Sequence, residues 1–573
     1  MHYAELAQAR DELTGPGGAF EIVTVEVGGI PVRAYAHALP DVRALWRSTQ
    51  AFADRTYLVY DDERLTYAEA HARVDAIAAW LAAQGVQSGD RVAIAMRNYP
   101  EWLLIYWACV STGIVVVGMN AWWTPEEMAY ALQDAAPKAL FLDAERLDRY
   151  REIAEPPAGI MRVGVRLRGP ELGVTPFADV VARSGAHGDM MPEVAIDPDA
   201  DACIFYTSGT TGFPKGAQLT HRGCITNLFN MLYAGASTAR AVELATGPQT
   251  QVAPPATPPV PVSLLTTPLF HVTANNCGAY ATTAAGGTIV LMYRWDAGEA
   301  LRIIARERVT SIGGVPVMAR ELINHPDFAF TDVSSLTAMS GGGAQVPPDL
   351  VHKIEDKVAS ARPSTGYGMT ETCGIITSVS GDFFVDKPDS AGPAMPAYEA
   401  KCVDDSGNTV LPGEIGELWV RGAAVIKGYI NRPEATATAI TNGWLHTGDI
   451  ARIDEDGFIF IVDRKKDMVL RGGENVYCAE VEAAIYRHPA VAECCVFGVP
   501  DNRLGEEVGV AVVLKPGESL DEVSLRSFCG NLIAGYKVPR HIWFMAEQLP
   551  RNASGKFLRR ELRERLAGDL PAA

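Results

Sequence analysis

The stretch Tyr206–Gly216, YTSGTTGFPKG, constrains this chain more than any other. Thr207, Ser208, Thr210 and Thr211 stand among Gly209, Gly212 and Gly216, with one cation, Lys215. Hydroxyls and bare backbone N–H groups wrap phosphate oxygens, and glycine lets the backbone come close enough to do so. The stretch therefore reads as a triphosphate clamp. The apolar run Ala202–Tyr206 before it is of strand type, and a helix-compatible segment follows from Thr220. That order predicts strand, glycine-rich turn and helix, with phosphate near a helix N-terminus. Pro214-Lys215-Gly216 departs from a Walker A loop, in which Gly precedes the Lys and Ser or Thr follows it. Taken alone, the stretch also fits a polar surface loop; the motifs below decide between the two.

A length of 573 residues exceeds one core and predicts two or three domains. With 48% hydrophobic and 21% charged residues, the composition is that of a globular soluble protein. The net charge of −19 argues against a nucleic-acid surface, which needs clustered Lys and Arg. Ten cysteines without a C-x-x-C pair fit a reducing compartment, and the acidic start MHYAELAQARDEL does not read as an export signal. The expected location is cytoplasmic. Trp102–Pro125 carries no charge and is long enough to span a bilayer. However, Pro100 begins a helix there, Gly113 stops it, and Ile114–Val117 is β-branched, so a helix and a buried parallel strand explain the run without a membrane span.

Residues 1–40 read as an N-terminal extension, with a hairpin turning at Gly28-Gly29. From Thr56 onward strands and helices alternate, and Thr66-Tyr67-Ala68-Glu69 has the form of a capping box. This rhythm predicts an α/β fold: a large region, 41–464, of doubly wound, mostly parallel sheets with helices, and a small mobile α+β domain, 465–573. A segment with six prolines, 246–261, interrupts the large region and reads as an insertion.

Four further stretches join the loop: GYGMTET from Gly366, GWLHTGD from Gly443, DRKKD from Asp463 and PRNASGK from Pro550. In this order and at these separations the chain resembles the adenylate-forming superfamily of acyl-CoA synthetases, luciferases and adenylation domains, over about residues 41–565. Ser340-Gly341-Gly342-Gly343-Ala344 brings it nearest to the fatty-acyl-CoA synthetases. The resemblance implies attack of a carboxylate on the α-phosphorus of ATP, release of pyrophosphate, and then attack of a thiol on the acyl-adenylate. Negative charge grows on phosphate oxygens in the first step, so preorganised donors and cations are the expected catalysts.

By this resemblance Thr207, Ser208, Gly209, Thr210, Thr211, Gly212 and Lys215 hold the β- and γ-phosphates. Gly342, Gly343, Ala344, Tyr367 and Gly368 lie about the adenine, Thr370 reaches the α-phosphate, and Glu371 binds Mg2+, a hard cation that prefers oxygen. Asp449 and Arg464 take the ribose. Lys556 reaches from the small domain to the carboxylate and α-phosphate, and Lys466 is the hinge. The loop Arg471-Gly472-Gly473-Glu474 faces coenzyme A after the small domain turns.

His271 with Val272, Asn275, Asn276, Gly341, Gly374 and Ile375 is implied to line the acyl pocket. Asn275 stands where some long-chain members carry an aromatic gate. The acid is expected to be hydrophobic, whether fatty, alicyclic or aryl. No carrier domain follows the small domain, so coenzyme A is the expected acceptor, alongside ATP and Mg2+. Two alternatives stay open: an acyl-AMP ligase that loads a separate carrier protein, and a non-catalytic nucleotide- or acyl-binding sensor. Oligomeric state, a homodimer included, stays open as well.

Overall fold

The computed structural model describes residues 3–182, 191–207, 214–247, 260–344, 346–472, 474–552 and 555–567. Two eight-stranded sheets form the bulk of the protein. The first runs in the order Gly428–Tyr429, Lys215–Thr220, Asp201–Thr207, Val115–Gly118, Arg91–Ala95, Ala139–Asp143, Met161–Val165 and Thr175–Pro176. It is parallel from Asp201–Thr207 onward, and its first strands are antiparallel. In the second sheet five parallel pairings lie between antiparallel edges, Gly374–Ser380 at one side and Glu63–Thr66 at the other. Strands that are buried on both faces need apolar side chains throughout, which is why Ala139–Asp143 and Val115–Gly118 show no polar alternation.

The uncharged run resolves as helix Pro100–Val110, then strand Val115–Gly118. Every helix residue from Trp102 to Val110 is buried, and Trp107 stacks on Trp46 with ring centroids 5.2 Å apart. No helix among the described residues is long and apolar enough to cross a membrane. Thr66 accepts from Glu69 N while Glu69 accepts from Thr66 N, so the capping box forms as the sequence suggests. The hairpin Ile22–Val27 and Ile30–Tyr35 forms as well. The preceding helix Tyr3–Thr14, which the sequence reading does not anticipate, packs along helix His221–Thr246.

A six-stranded sheet between Gly392 and Arg464 is wholly antiparallel. The strand–helix rhythm does not reveal it. The small domain is built on five strands between Val469 and Met545, with helices Cys478–Tyr486 and Arg559–Ala567 packed against Val491–Asp501. Leu562 and Leu566 anchor the last helix in that core. Of the proline-rich insertion, 248–259 lies outside the described residues.

Candidate active site

The clamp differs from the expected strand, turn and helix. A second strand that the sequence reading does not anticipate, Lys215–Thr220, comes between turn and helix and pairs antiparallel with Asp201–Thr207, so that Thr207 lies opposite Lys215. The helix begins where the sequence reading places it, at His221 with Thr220 as its N-cap. The apolar alternation of Ala217 and Leu219 marks this second strand, because both side chains are fully buried. Thr207 and Lys215 thus stand at the mouth of a hairpin, and Ser208, Gly209, Thr210, Thr211 and Gly212 lie outside the described residues.

Strands Ala338–Gly342 and Arg362–Met369 end at the same crevice and carry Gly341, Gly342, Gly343, Ala344, Tyr367 and Gly368 to it. Carboxyl ends of parallel strands are where open α/β sheets place their ligands. The register slips between Tyr367 and Gly368, and a Cβ on Gly368 would lie 1.9 Å from the Gly374 carbonyl oxygen. Only glycine permits that approach. The chain then makes a short 3-10 turn, Thr370–Thr372, which sets Glu371 into the wall.

Glu371 accepts a 2.7 Å hydrogen bond at Oε1 from Tyr429 Oη. Asp449 lies directly across the antiparallel sheet from Arg464, and its carboxylate is 3.0 Å from Arg464 Nε. The other carboxylate oxygen accepts from Tyr367 Oη at 2.5 Å. Burial and the neighbouring Asp449 charge push the Tyr367 phenol well above its usual range, so it remains a donor.

Lys556 arrives from the small domain. Its loop is tied by Asn552, which accepts from Lys556 N at 2.9 Å, and by Arg551, which donates to the Gly555 carbonyl at 2.9 Å. Gly555 lies so close to Val315 of the large domain that a Cβ there would be 2.7 Å from Val315 Cγ2. Gly343 has φ +76, and a Cβ on it would lie 3.8 Å from Lys556 Cε. The lysine side chain retains open surface, yet protein displaces much of the water around its ammonium. Desolvation, then the charge of Arg464, push it down to about 8 against the pull of Asp449 and Glu371.

His271 has a buried Nε2 with no hydrogen-bond partner among the described residues. Burial, with the charge of Lys556 second, lowers its pKa to about 4, so the ring is neutral at pH 7. Next to it, Thr273–Ala279 forms a π-helical turn that contains Asn275 and Asn276. Both side chains are fully buried: Asn275 Nδ2 donates to Asn276 Oδ1 at 3.0 Å, and Asn276 Nδ2 reaches Cys224 Sγ. Val272 and Gly374 are buried, and Ile375 N donates to Asn227 Oδ1 at 2.8 Å.

Lys466 sits in the turn after Arg464, where Asp467 N donates back to the Arg464 carbonyl. Arg471 is committed to Glu507 through two 2.8 Å hydrogen bonds within the small domain, and it pairs with Glu474 across Gly472; Gly473 lies outside the described residues. No hydrogen bond or ion pair joins Arg471 or Glu474 to Asp449, Glu371 or Lys556 among the described residues. Sequence reasoning missed Tyr429 and Val315 as neighbours of the site. The first follows Gly428 in a two-residue strand too short to carry a periodic signal.

Models of two families match the chain: AMP-binding enzyme over residues 45–430 and AMP-binding enzyme C-terminal domain over residues 480–556. The chain belongs to the AMP-binding enzyme family. A feruloyl-CoA synthase from Amycolatopsis sp is 37% identical to this AMP-binding enzyme over 501 residues, 87% of this chain and 94% of that protein. A long-chain-fatty-acid–CoA ligase from Escherichia coli O157:H7 is 34% identical over 548 residues, 91% of this chain and 94% of that protein. Among solved structures, o-succinylbenzoate CoA synthetase from Bacillus subtilis, in complex with its acyl-adenylate, aligns with TM-score 0.74 and 30% identity, covering 91% of this chain and 97% of that one.

Proposed function

We propose that this AMP-binding enzyme is an acid–thiol ligase that activates a hydrophobic carboxylic acid as its acyl-adenylate and transfers the acyl group to coenzyme A. The observation that carries the reading is the approach of Lys556, from the small domain, to the crevice holding Gly343, Glu371, Asp449 and Arg464. A cation brought by a separate domain can stabilise charge growing at the α-phosphate in one half-reaction and withdraw for the next.

In this mechanism Asp449 accepts from the ribose, Arg464 donates to it, and Thr207 and Lys215 hold the outer phosphates. Neutral His271, with its buried and unpartnered Nε2, would face the acyl group. The protein needs no base for the carboxylate, which is already ionised at neutral pH. Among the described residues no group of three His, Cys, Asp or Glu could hold a metal ion. Mg2+ binding fits this arrangement, since that ion keeps waters and substrate phosphates and asks for only one or two carboxylates. Glu371 would supply one, and the ion would neutralise charge on the triphosphate.

The relatives are named for feruloyl-CoA and for long-chain fatty acids, and the acids tested span both classes. Ten free cysteines agree with a reducing cytoplasm. The test is acid-dependent release of AMP and pyrophosphate with a panel of fatty, alicyclic and aryl acids, each with and without coenzyme A. AMP and thioester formed with one class of acid is the expected result. Pyrophosphate and bound acyl-adenylate with no thioester would favour loading of a carrier protein, and nucleotide binding without turnover by any acid would favour a sensor.

A further inference from the structure

One residue outside all the motifs touches both the triphosphate lysine and the proposed metal carboxylate. Tyr429 ends the edge strand Gly428–Tyr429, opposite Ala217 on the strand that Lys215 opens. Lys215 Nζ lies over its ring, 4.5 Å from the centroid, and its hydroxyl donates to Glu371 Oε1 at 2.7 Å. The segment around it is stitched to both groups by backbone: Ile426 N donates to the Glu371 carbonyl at 3.0 Å, and Ile430 N to the Gly216 carbonyl at 2.8 Å. Tyr429 is only 8% exposed.

A buried tyrosine placed this way does two jobs with one ring. Its quadrupole attracts the ammonium to the face, while its O–H fixes the carboxylate at the edge. Glu371 Oε2 has no hydrogen-bond partner among the described residues, so fixing Oε1 leaves one carboxylate oxygen free for a cation.

We propose that Tyr429 is a positioning residue for adenylation, its ring orienting Lys215 and its hydroxyl orienting Glu371, so that the triphosphate cation and the metal carboxylate move as one unit. This rests on the ligase reading above. A residue that merely packs would be replaced by Phe without consequence, since Phe fills the same volume.

The experiment compares wild type, Tyr429→Phe, Glu371→Gln and the double variant. Mn2+ binding in the presence of α,β-methylene-ATP is read from the free-ion EPR signal. Tyr429→Phe is expected to weaken it about 5- to 10-fold, as loss of a hydrogen bond to a charged group does. The Mg2+ needed for acid-dependent ATP–pyrophosphate exchange should rise by a similar factor, well beyond any change in thioester formation from supplied acyl-adenylate. The double variant should bind Mn2+ no more weakly than Glu371→Gln alone, because the tyrosine acts through the carboxylate. Wild-type Mn2+ affinity in Tyr429→Phe, or equal losses in both half-reactions, would overturn the proposal. Should no acid be turned over by wild type, the ligase reading fails, and the Mn2+ comparison still decides the role of Tyr429.

Discussion

Asp449 and Arg464 occupy directly opposed positions on neighbouring antiparallel strands, with 3.0 Å between Arg464 Nε and the Asp449 carboxylate. Asp449 is 2% exposed, and Tyr367 satisfies its second oxygen. Such a carboxylate is aimed before any nucleotide arrives, and its loss leaves Arg464 and Tyr367 without their shared acceptor. Asp449→Asn is expected to weaken binding of an ATP analogue about 10- to 100-fold, the scale of hydrogen bonds to a charged group. Calorimetric titration checks this, and an unchanged affinity would place the ribose elsewhere.

Lys556→Ala is expected to slow adenylation by roughly 10²–10³-fold, as removal of one charge-stabilising group does. Thioester formation from supplied acyl-adenylate should be largely spared. Since the site lowers this lysine to about 8, the protonated form is lost as pH rises through that value. Wild-type adenylation should therefore fall on the alkaline side of about pH 8, and Lys556→Arg, which stays charged, should lack that fall. A pH–rate profile for pyrophosphate exchange measures both.

The turn at Lys466 tests the domain motion. No hydrogen bond from Lys466 N is present among the described residues, so proline can enter there without removing a donor in use. If Lys466 is the hinge, Lys466→Pro would stiffen it in the orientation that brings Lys556 to Gly343. Adenylation should persist, and thioester formation should drop about 10-fold or more, as expected when a gating motion is blocked. Equal slowing of both steps in stopped-flow measurements would rule out this hinge.

Trp107 lies in the apolar core of the large domain, against Trp46, Tyr57 and Tyr280. It is fully buried, stacks on Trp46, and donates from Nε1 to Tyr57 Oη at 2.7 Å. Trp107→Ala removes apolar contacts and one of the two hydrogen bonds at Tyr57 Oη, which keeps Thr283 as a partner, at a cost of about 3–5 kcal/mol. Urea unfolding, followed by circular dichroism, should show a correspondingly lower midpoint.

The local signals at Thr66, Pro100 and Gly113 were legible because a cap, a helix start and a helix stop involve only near neighbours in sequence. Around the glycine-rich stretch the strand before it and the helix from Thr220 were legible, and the strand Lys215–Thr220 between them was not. Strand or helix after Lys215 depends on whether Ala217 and Leu219 find a sheet to bury them, and that sheet is supplied by distant strands. Tyr429 was invisible for the same reason, since its partners Lys215 and Glu371 lie far away in the chain.

By itself the sequence determined the α/β class, the order of the motifs and the kinds of groups they bring: hydroxyls, glycines, carboxylates and lysines. These are properties of composition and short spacing. Only the tertiary structure decided that Asp449 faces Arg464, that Tyr429 joins Lys215 to Glu371, and that Lys556 stands beside Gly343. Strand register and domain docking are settled by burying apolar surface across hundreds of residues, and no local pattern contains that sum.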